Sequence, residues 1–257
     1  MKLSTLTRVF ICLLTTTTLL SCEDHRLMVG NQRFRIKEVT SRTSRVFSLV
    51  QYNYNSSSQI ASSIRYTSVP SPTTSNQTTL VEYDVKNRLI STEQQPPVGL
   101  INQIKVRTEY GYDVAGNLSI VRTLTAPNTS NDFQLANTLT LEYTSSMFPV
   151  KITATGSGVP NGVTEYTYAD GNVSREVFTP VDPGQPSNTR LFQYDDKPNP
   201  FYGKVIFGVD AQIFSKNNAV DPSRRLIYDA NGFLVREEPS SGNTGPLNEV
   251  DYKYETY

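Results

Sequence analysis

Few side chains in this sequence could carry out chemistry. His25 is the only histidine among 257 residues, and it lies three residues after Cys22 in a segment expected to be a solvated tether. A catalytic base must be held against a partner group, which a tether does not provide. The sequence contains no Gly-x-Ser-x-Gly elbow, Walker loop, Rossmann fingerprint or His-Glu-x-x-His helix. We therefore predict that the protein is not an enzyme and has no catalytic residues.

Carboxylates recur in short turn-like phrases. In Asp-x-x-Gly, or the same phrase with Asn, the carboxylate can accept hydrogen bonds from backbone N–H groups two residues further on. The Gly or Asn then takes the left-handed backbone of a type I turn with a bulge. Calcium is the alternative ligand, but the second acidic positions and the distal Glu of an EF-hand loop are missing. We expect no metal and no cofactor, and eight structural turn residues: Asp84, Asn87, Asp113, Gly116, Asp170, Gly171, Asp229 and Gly232.

Two acidic pairs and the tyrosines complete the candidate chemistry. Asp195-Asp196 and Glu237-Glu238 are adjacent, so in a strand each pair points to opposite faces and cannot share a substrate as glycosidase carboxylates do. Exposed Tyr can stack on sugars, whereas Tyr at alternating strand positions packs in the core. The chain has 15 Tyr and no Trp, the strongest sugar platform, which favours packing.

Cys22 has the most specific context of any residue in the chain. A basic start, Lys2 and Arg8, leads into an apolar run and then Leu19-Leu20-Ser21-Cys22. This tetrapeptide resembles the lipobox of bacterial lipoproteins, which implies acylation of Cys22, typically with palmitate, and cleavage directly before it. Two or three acyl chains anchor a protein stably. The alternatives are an ordinary signal peptide or an uncleaved apolar helix, but the apolar run is too short to cross roughly 30 Å of hydrocarbon.

The predicted organisation follows from this assignment. We expect a signal peptide over 1–21, a lipidated tether over 22–32 and a single domain over 33–257. Glu23-Asp24 resembles the export tag of surface lipoproteins in Bacteroidota, so the predicted location is the outer membrane, on its periplasmic face or at the cell surface. Cys12 leaves with the signal peptide, so the domain has no thiol for a disulfide or a metal site.

The charge balance bears on the partners. The chain has 24 basic and 24 acidic residues, and loss of Lys2 and Arg8 with the signal peptide leaves 22 basic residues. A slightly acidic domain does not attract phosphate backbones. We therefore predict no nucleic-acid partner, and a membrane partner through the acyl chains.

A repeated phrase runs through the rest of the sequence. An alternating strand ends in Tyr-Asp, a tight turn with Gly or Asn follows, and the next strand opens with a large apolar residue. A period of two over so many segments indicates antiparallel strands with one face buried. The tyrosines that mark the phrase lie 25 to 34 residues apart, which is enough for two strands, a turn and a return connection. They are Tyr54, Tyr83, Tyr112, Tyr143, Tyr168, Tyr194, Tyr228 and Tyr254.

Longer links rich in Pro, Ser, Thr and Asn separate the hairpins, so tight turns should gather at one end of the sheet and long connections at the other. With a first strand over 31–40, the sequence predicts about 14 to 16 strands, and an open sheet of that size usually curls or closes. We predict an all-β fold, an antiparallel meander rolled into a barrel or half-barrel. Within 201–224, Val205-Ile206-Phe207 and Ala211-Gln212-Ile213-Phe214 could form a strand or a short helix.

Two features carry a resemblance to known families. The Tyr-Asp-x-x-Gly-x-Leu phrase resembles the YD repeats of Rhs-type shell proteins. A more specific match is Tyr194-Asp195-Asp196-Lys197-Pro198-Asn199-Pro200-Phe201, followed by Phe214-Ser215-Lys216-Asn217-Asn218. With the lipobox and the degenerate hairpins, it resembles a group of Bacteroidota lipoproteins whose domain of unknown function is porin-like in fold. The resemblance covers most of the chain after Cys22, implies a large antiparallel barrel or rolled sheet, and implies no activity.

The sequence therefore predicts a lipid-anchored cell-envelope protein with a structural or interaction role. The first alternative is a binding protein for a glycan or lipid, held inside the roll or against its tyrosines; a protein ligand of the long loops is also open. The second alternative is a membrane-spanning barrel, which needs an unbroken apolar outer band. Charged residues scattered through the strands argue against it: Arg107, Glu109, Glu165, Arg190 and Lys253.

Overall fold

The computed structural model describes most of the chain after residue 26. The described ranges are 27–29, 32–43, 46–68, 75–97, 103–144, 147–157, 159–240 and 248–257. The predicted signal peptide, Cys22 and His25 lie outside them. Within these ranges the chain is almost entirely strand and turn, and the one helix is a short 3-10 turn at Val205–Phe207.

Eighteen strands are present in the described ranges. They are β1 Leu27–Val29, β2 Gln32–Arg42, β3 Phe47–Tyr54, β4 Ile60–Ser68, β5 Ser75–Tyr83, β6 Leu89–Gln95, β7 Ile104–Tyr112, β8 Leu118–Pro127, β9 Gln134–Glu142, β10 Lys151–Gly156, β11 Gly162–Ala169, β12 Asn172–Pro180, β13 Asn188–Leu191, β14 Gln193–Pro198, β15 Asn217–Val220, β16 Arg224–Tyr228, β17 Leu234–Pro239 and β18 Glu249–Thr256.

Sixteen of these strands form one antiparallel sheet, the predicted all-β meander. From β2 to β13, strands that follow one another in sequence are neighbours in the sheet, and β18 returns to pair with β2, followed by β17 and β16. Eight residue pairs join β18 to β2, from Glu249 opposite Arg42 to Thr256 opposite Phe34. β2, near the start of the described chain, and β18, at its end, are therefore paired within the sheet.

Part of the segment predicted as a tether, residues 27–29, is a strand in the structure. Residues 27–29 form β1, which pairs with the start of β2 so that Leu27 lies opposite Phe34. Leu27 is only 4% exposed. Removal of this leucine from water favours the sheet over a solvated segment.

Four tight turns are closed in the same way. In the β7–β8 hairpin, the Asn117 N–H donates to the Asp113 carboxylate (2.8 Å) and the Gly116 N–H donates to the Asp113 carbonyl oxygen (3.0 Å). Gly116 has φ of 91°, which only glycine adopts readily. Equivalent bonds close the turns from Asn55 to Ser58, from Asp84 to Asn87 and from Asp229 to Gly232. The predicted Asp-x-x-Gly chemistry is the geometry found at these turns.

The turn at Asp170 and Gly171 is of another kind. These two residues alone connect β11 to β12, and both have positive φ, 51° and 79°. Positive φ at both central positions is the type I′ geometry, whose twist suits a two-residue hairpin. Asp170 therefore contributes a left-handed backbone at this turn, where the other aspartates contribute a hydrogen-bonding carboxylate.

Seven of the eight marker tyrosines form a hydrogen-bonded ladder along the tight-turn end of the sheet. Each hydroxyl donates to the backbone carbonyl of an apolar residue near the start of the preceding return strand, as Tyr112 does to Leu89 (2.8 Å). These accepting residues are all buried. The ladder pairs are Tyr54 with Ile36, Tyr83 with Ile60, Tyr112 with Leu89, Tyr143 with Leu118, Tyr168 with Pro149, Tyr194 with Val173 and Tyr254 with Leu234. Each bond ties one hairpin to the hairpin before it.

Removal of one ladder hydroxyl should weaken the domain measurably. We expect Tyr112→Phe to lower the free energy of unfolding by about 1–2 kcal/mol, because the Leu89 carbonyl loses a buried donor. Urea denaturation followed by circular dichroism measures the change. The control is Tyr66→Phe, since the described contacts include no hydrogen bond from the Tyr66 hydroxyl. Equal losses in the two variants would contradict a stabilising ladder.

Residues 199–216, which we call the plug, leave the sheet between β14 and β15 and pack against its inner face. Phe214 contacts Tyr166 of β11 with ring centroids 5.7 Å apart, and Phe207 contacts Tyr52 of β3 at the same distance. β11 and β3 are eight places apart in the strand order, which would be about 40 Å in a flat sheet. The sheet therefore curves around the plug. Of the two ambiguous stretches in 201–224, Val205–Phe207 is a 3-10 turn, whereas residues 211–214 form a turn that is neither strand nor helix.

The two edges of the large sheet, β13 and β16, are connected through the small sheet formed by β14 and β15. On one side the Asn217 N–H of β15 donates to the Asn172 side chain of β12 (2.9 Å). On the other side Tyr228 of β16 donates its hydroxyl to Asp195 and accepts a bond from the Asn218 amide (3.3 Å). Side-chain hydrogen bonds thus connect the two edges where strand pairing stops. Tyr228 takes part in this connection and is the one marker tyrosine that is not in the ladder.

Candidate functional site

The foot of the plug, where its two ends meet, is held by two buried polar side chains. Asn199 is 4% exposed, and its amide donates to the carbonyl oxygens of Gln212 (2.7 Å) and Ser215 (2.8 Å) while its oxygen accepts from the Phe201 N–H (2.9 Å). Ser215 is fully buried; its hydroxyl donates to the Ala211 carbonyl (2.6 Å) and accepts from the Val173 N–H (3.0 Å). These residues belong to the motif after Tyr194 and around Ser215 that the sequence singled out, so that motif builds the foot of the plug.

An interior cavity of about 350 Å³ that is open to solvent lies between the plug and the inner face of β16, β17 and β18. Aromatic rings form much of its wall: Phe201 lies 5.1 Å from Phe207 and 5.7 Å from Tyr252, centroid to centroid. Arg224 and Glu237 line the polar part of the wall. The cavity therefore combines apolar faces with one charged pair, the usual composition of a small-ligand site.

The polar groups of the cavity are held in a chain of hydrogen bonds. Arg224 forms an ion pair with Glu237, and the Tyr252 hydroxyl donates to the other oxygen of the same carboxylate (2.5 Å). Burial, reinforced by the negative charge of Glu237, raises the pKa of Tyr252 well above its ordinary value. The phenol is therefore a neutral donor at physiological pH.

The adjacent acidic pair at 237 and 238 is divided between the two faces of β17, as the sequence predicts. Glu237 lines the cavity, whereas Glu238 forms an ion pair with Arg225. The Arg225 side chain is 66% exposed and that of Arg224 is 31% exposed. Neighbouring residues of one hairpin thus provide an interior ion pair and an exterior ion pair of the same chemistry.

The tyrosines are structural side chains in this fold. Seven marker hydroxyls are engaged in the ladder, and burial raises the pKa of several of these tyrosines, including Tyr168, Tyr194 and Tyr254. Tyr168 also stacks on Phe148 with centroids 6.2 Å apart. Packing is therefore the role of the marker tyrosines, and the one tyrosine that lines the interior cavity is Tyr252, which is not a marker.

The remaining predicted site residues are distributed along the sheet. The eight turn residues lie in hairpin turns at the tight-turn end and do not converge on one site. Among the residues that the structure describes, no group of three His, Cys, Asp or Glu side chains could hold a metal ion. Cys22 and His25, the lipidation candidate and the lone histidine, fall outside the described ranges.

Acid should weaken the turns at Asp84 and Asp113. Backbone N–H donors, from Arg88 and Asn117 respectively, hold the pKa of each carboxyl below its usual 3.8. A lowered folded-state pKa stabilises the fold above the unfolded-state pKa, and this contribution is lost as pH falls through the folded-state value. We expect Asp84→Asn/Asp113→Asn to be less stable than the wild type at pH 7 and to approach it near pH 2.

The comparison needs only urea titrations of both proteins at the two pH values. Asn55 shows that an uncharged amide can close the same turn, so the double variant should fold. A stability gap that stays constant between the two pH values would rule out the carboxylate charge as its cause.

Comparisons with solved structures give distant similarities, among them a porin-like protein and a toxin pore. No family model matches the chain. No curated protein matches it either. A porin-like protein from Bacteroides uniformis is 12% identical, with 86% of this chain and 96% of that chain covered and a TM-score of 0.38. The Tc holotoxin pore of Photorhabdus luminescens is 14% identical over 81% of this chain and 12% of that chain, with a TM-score of 0.35.

At these values the similarities carry no information about activity, so the function has to be inferred from the residues of this chain. No helix in the described ranges is both long and apolar enough to cross a membrane. The sequence did not predict the interior cavity or its ion pair. The sequence singles out Glu237 only as part of an adjacent acidic pair. Its ion pair with Arg224 could not be predicted because it depends on the register between β16 and β17, in which Arg224 lies opposite Pro239.

Proposed function

We propose that this protein is a non-enzymatic, lipid-anchored component of the bacterial cell envelope, attached to the outer membrane through acyl chains on Cys22. Its role in this proposal is structural or interactive: the rolled sheet is a rigid scaffold that presents its long connections to a partner. The observation that supports the scaffold role is that the tyrosine hydroxyls of the ladder and the carboxylates of the turns already form hydrogen bonds within the fold. Ladder hydroxyls and turn carboxylates are bonded to the backbone, where they hold the wall together.

The anchor is tested by substitution of Cys22. In cells that process lipoproteins, Cys22→Ala should abolish acylation, so the protein should leave the detergent phase on Triton X-114 partition. Mass spectrometry of the N-terminal peptide should show the acyl chains in the wild type alone. Cys12→Ala is the matched control, since Cys12 is the only other cysteine and would leave with the signal peptide. Loss of the acyl chains in the Cys12 variant, or their retention in the Cys22 variant, would refute the proposed anchor.

The second candidate function is binding of a small glycan or lipid in the interior cavity. The observation in its favour is the aromatic wall next to the Arg224–Glu237 pair in a space of about 350 Å³. Aromatic faces suit the apolar faces of a sugar ring or an acyl chain, and an arginine and a carboxylate suit hydroxyls or a head group. The scaffold role predicts no such ligand.

Glycan and lipid arrays probed with the purified protein separate the two functions. If the cavity binds a ligand, Arg224→Met should lose the signal and Arg225→Met should keep it, because the second arginine pairs with Glu238 on the exterior face. Signals that are absent from the wild type, or that fall equally in both variants, favour the scaffold role.

A further inference from the structure

We propose that the tight-turn end of the roll lies against the membrane surface, with Val85 and Val114 at the tips of neighbouring hairpins immersed in the lipid interface. The long connections at the opposite end then project away from the membrane. This orientation rests on the proposed acylation of Cys22. It also rests on two observations that do not depend on each other, namely where the chain enters the sheet and which side chains the hairpin tips expose.

The chain enters the sheet at the tight-turn end. Leu27 is paired with Phe34 at the start of β2. The Phe34 ring lies 5.0 Å from that of Phe233, which directly follows the tight turn ending at Gly232. Further along β2, the Ile36 carbonyl accepts the ladder bond from Tyr54, the last residue before the first tight turn. Leu27 is therefore level with the tight turns and remote from the long connections.

The length of chain before Leu27 limits where an anchor can be. Cys22 lies five residues upstream, and five fully extended residues span at most about 18 Å. β2 ends at Arg42, at the long-connection end of the sheet. Arg42 is eight positions after Phe34, which corresponds to about 26 Å of strand. A lipid on Cys22 therefore cannot bring the long-connection end to the membrane while the tight-turn end points away.

The tips of two neighbouring hairpins are apolar on the outside. Val85 and Val114 have relative exposures of 101% and 110%, and they occupy equivalent positions one residue after Asp84 and Asp113. The two aspartates direct their carboxylates back to the backbone N–H groups of the turns. Two adjacent tips thus each carry a fully exposed valine, and contact of these side chains with the interfacial region of lipid removes apolar surface from water.

Lys86 adds a group suited to the same partner. It is exposed and follows Val85 at the tip, so its ammonium can lie among lipid phosphates while the valine points into the apolar boundary. Long basic side chains adopt this arrangement at membrane interfaces. The chemistry of the tips therefore fits a phospholipid surface.

A pair of nitroxide labels at opposite ends of β8 tests the orientation. Val114→Cys places a label at the tight-turn tip, and Thr129→Cys places one at an exposed position of the β8–β9 connection. Cys12 and Cys22 are the only native cysteines, so the acylated domain has no competing thiol. Each full-length protein is expressed in lipoprotein-processing cells, checked for acyl chains by mass spectrometry, and reconstituted in phosphatidylethanolamine–phosphatidylglycerol vesicles.

We expect the label at 114 to be severalfold less accessible than that at 129 to a water-soluble nickel relaxation agent, and more accessible to oxygen, which concentrates in lipid. Acylated proteins in which both labels are equally exposed to water, or in which the order is reversed, would overturn the orientation and leave the anchor intact. Absence of acyl chains from the mass spectrum would instead overturn the anchor, and this orientation with it.

Discussion

Phe214→Ala should lower the free energy of unfolding by about 3–5 kcal/mol, the usual cost of removing a phenyl ring from a packed core. Phe214 is 2% exposed and lies at the meeting point of plug and wall, with ring contacts to Tyr166 (5.7 Å) and Phe148 (5.9 Å). Its cluster includes Leu141 and Ile152 of the sheet. Because the wall curves around this ring, the cavity left by alanine cannot be closed by a local shift.

Thermal and urea denaturation followed by circular dichroism measure the loss. The matched control is Phe47→Ala at the start of β3, where the ring is 38% exposed. We expect the control to lose much less, because its ring already contacts solvent. A loss in Phe214→Ala no larger than in Phe47→Ala would mean that the plug does not occupy the interior of the roll.

Asn199→Ala should lower the free energy of unfolding by about 3 kcal/mol. The substitution removes three hydrogen bonds from a buried side chain and leaves the carbonyls of Gln212 and Ser215 without those donors. Hydrogen bonds of this kind contribute about 1 kcal/mol each, and buried groups left unpaired add to the cost. The same denaturation experiment applies.

Asn53→Ala provides the comparison for this prediction. Asn53 is an exposed residue of β3 whose amide donates one bond to the Ser62 hydroxyl (3.2 Å). A surface substitution of this kind usually changes stability by less than about 0.5 kcal/mol. If Asn199→Ala behaved like Asn53→Ala, the foot of the plug would not depend on the buried amide.

The hairpins could be predicted from the sequence because their signals are local. Alternation of apolar and polar residues identifies a strand, and Asp-x-x-Gly identifies the turn that closes it, so β7 and β8 around Asp113 follow from about twenty consecutive residues. The marker tyrosines were recognised by the same repetition. Their hydrogen bonds were not, since Tyr112 and its acceptor Leu89 are 23 residues apart and belong to different hairpins.

The plug could not be predicted because it is neither a strand nor an α-helix. Its apolar residues are buried or partly buried around one 3-10 turn, while Asp210 and Gln212 are exposed, so no single period describes the segment. Its conformation depends on tertiary bonds such as that from the Val173 N–H to Ser215, 42 residues away. The cavity beside the plug was missed for the same reason.

The strand at residues 27–29, within the predicted tether, could not be predicted for a simpler reason. Leu27-Met28-Val29 is only three residues long, too short for a periodic signal, and pairing with β2 decides its conformation. The pairing of β18 with β2 could not be predicted either. Nothing local indicates that β18 pairs with β2, because their contact joins residues such as Arg42 and Asp251 across 209 positions.

That long-range pairing bears on how the domain can be assembled. The edge of β2 that pairs with β18 must stay vacant until the last strand is available, and contacts so distant in sequence slow folding. Deletion of 248–257 would leave a slot one strand wide between β17 and β2. A free peptide with the sequence of 248–257 should enter that slot by donor-strand complementation, as extended peptides do at open sheet edges. The protein is thus built so that two separate fragments could reconstitute one wall.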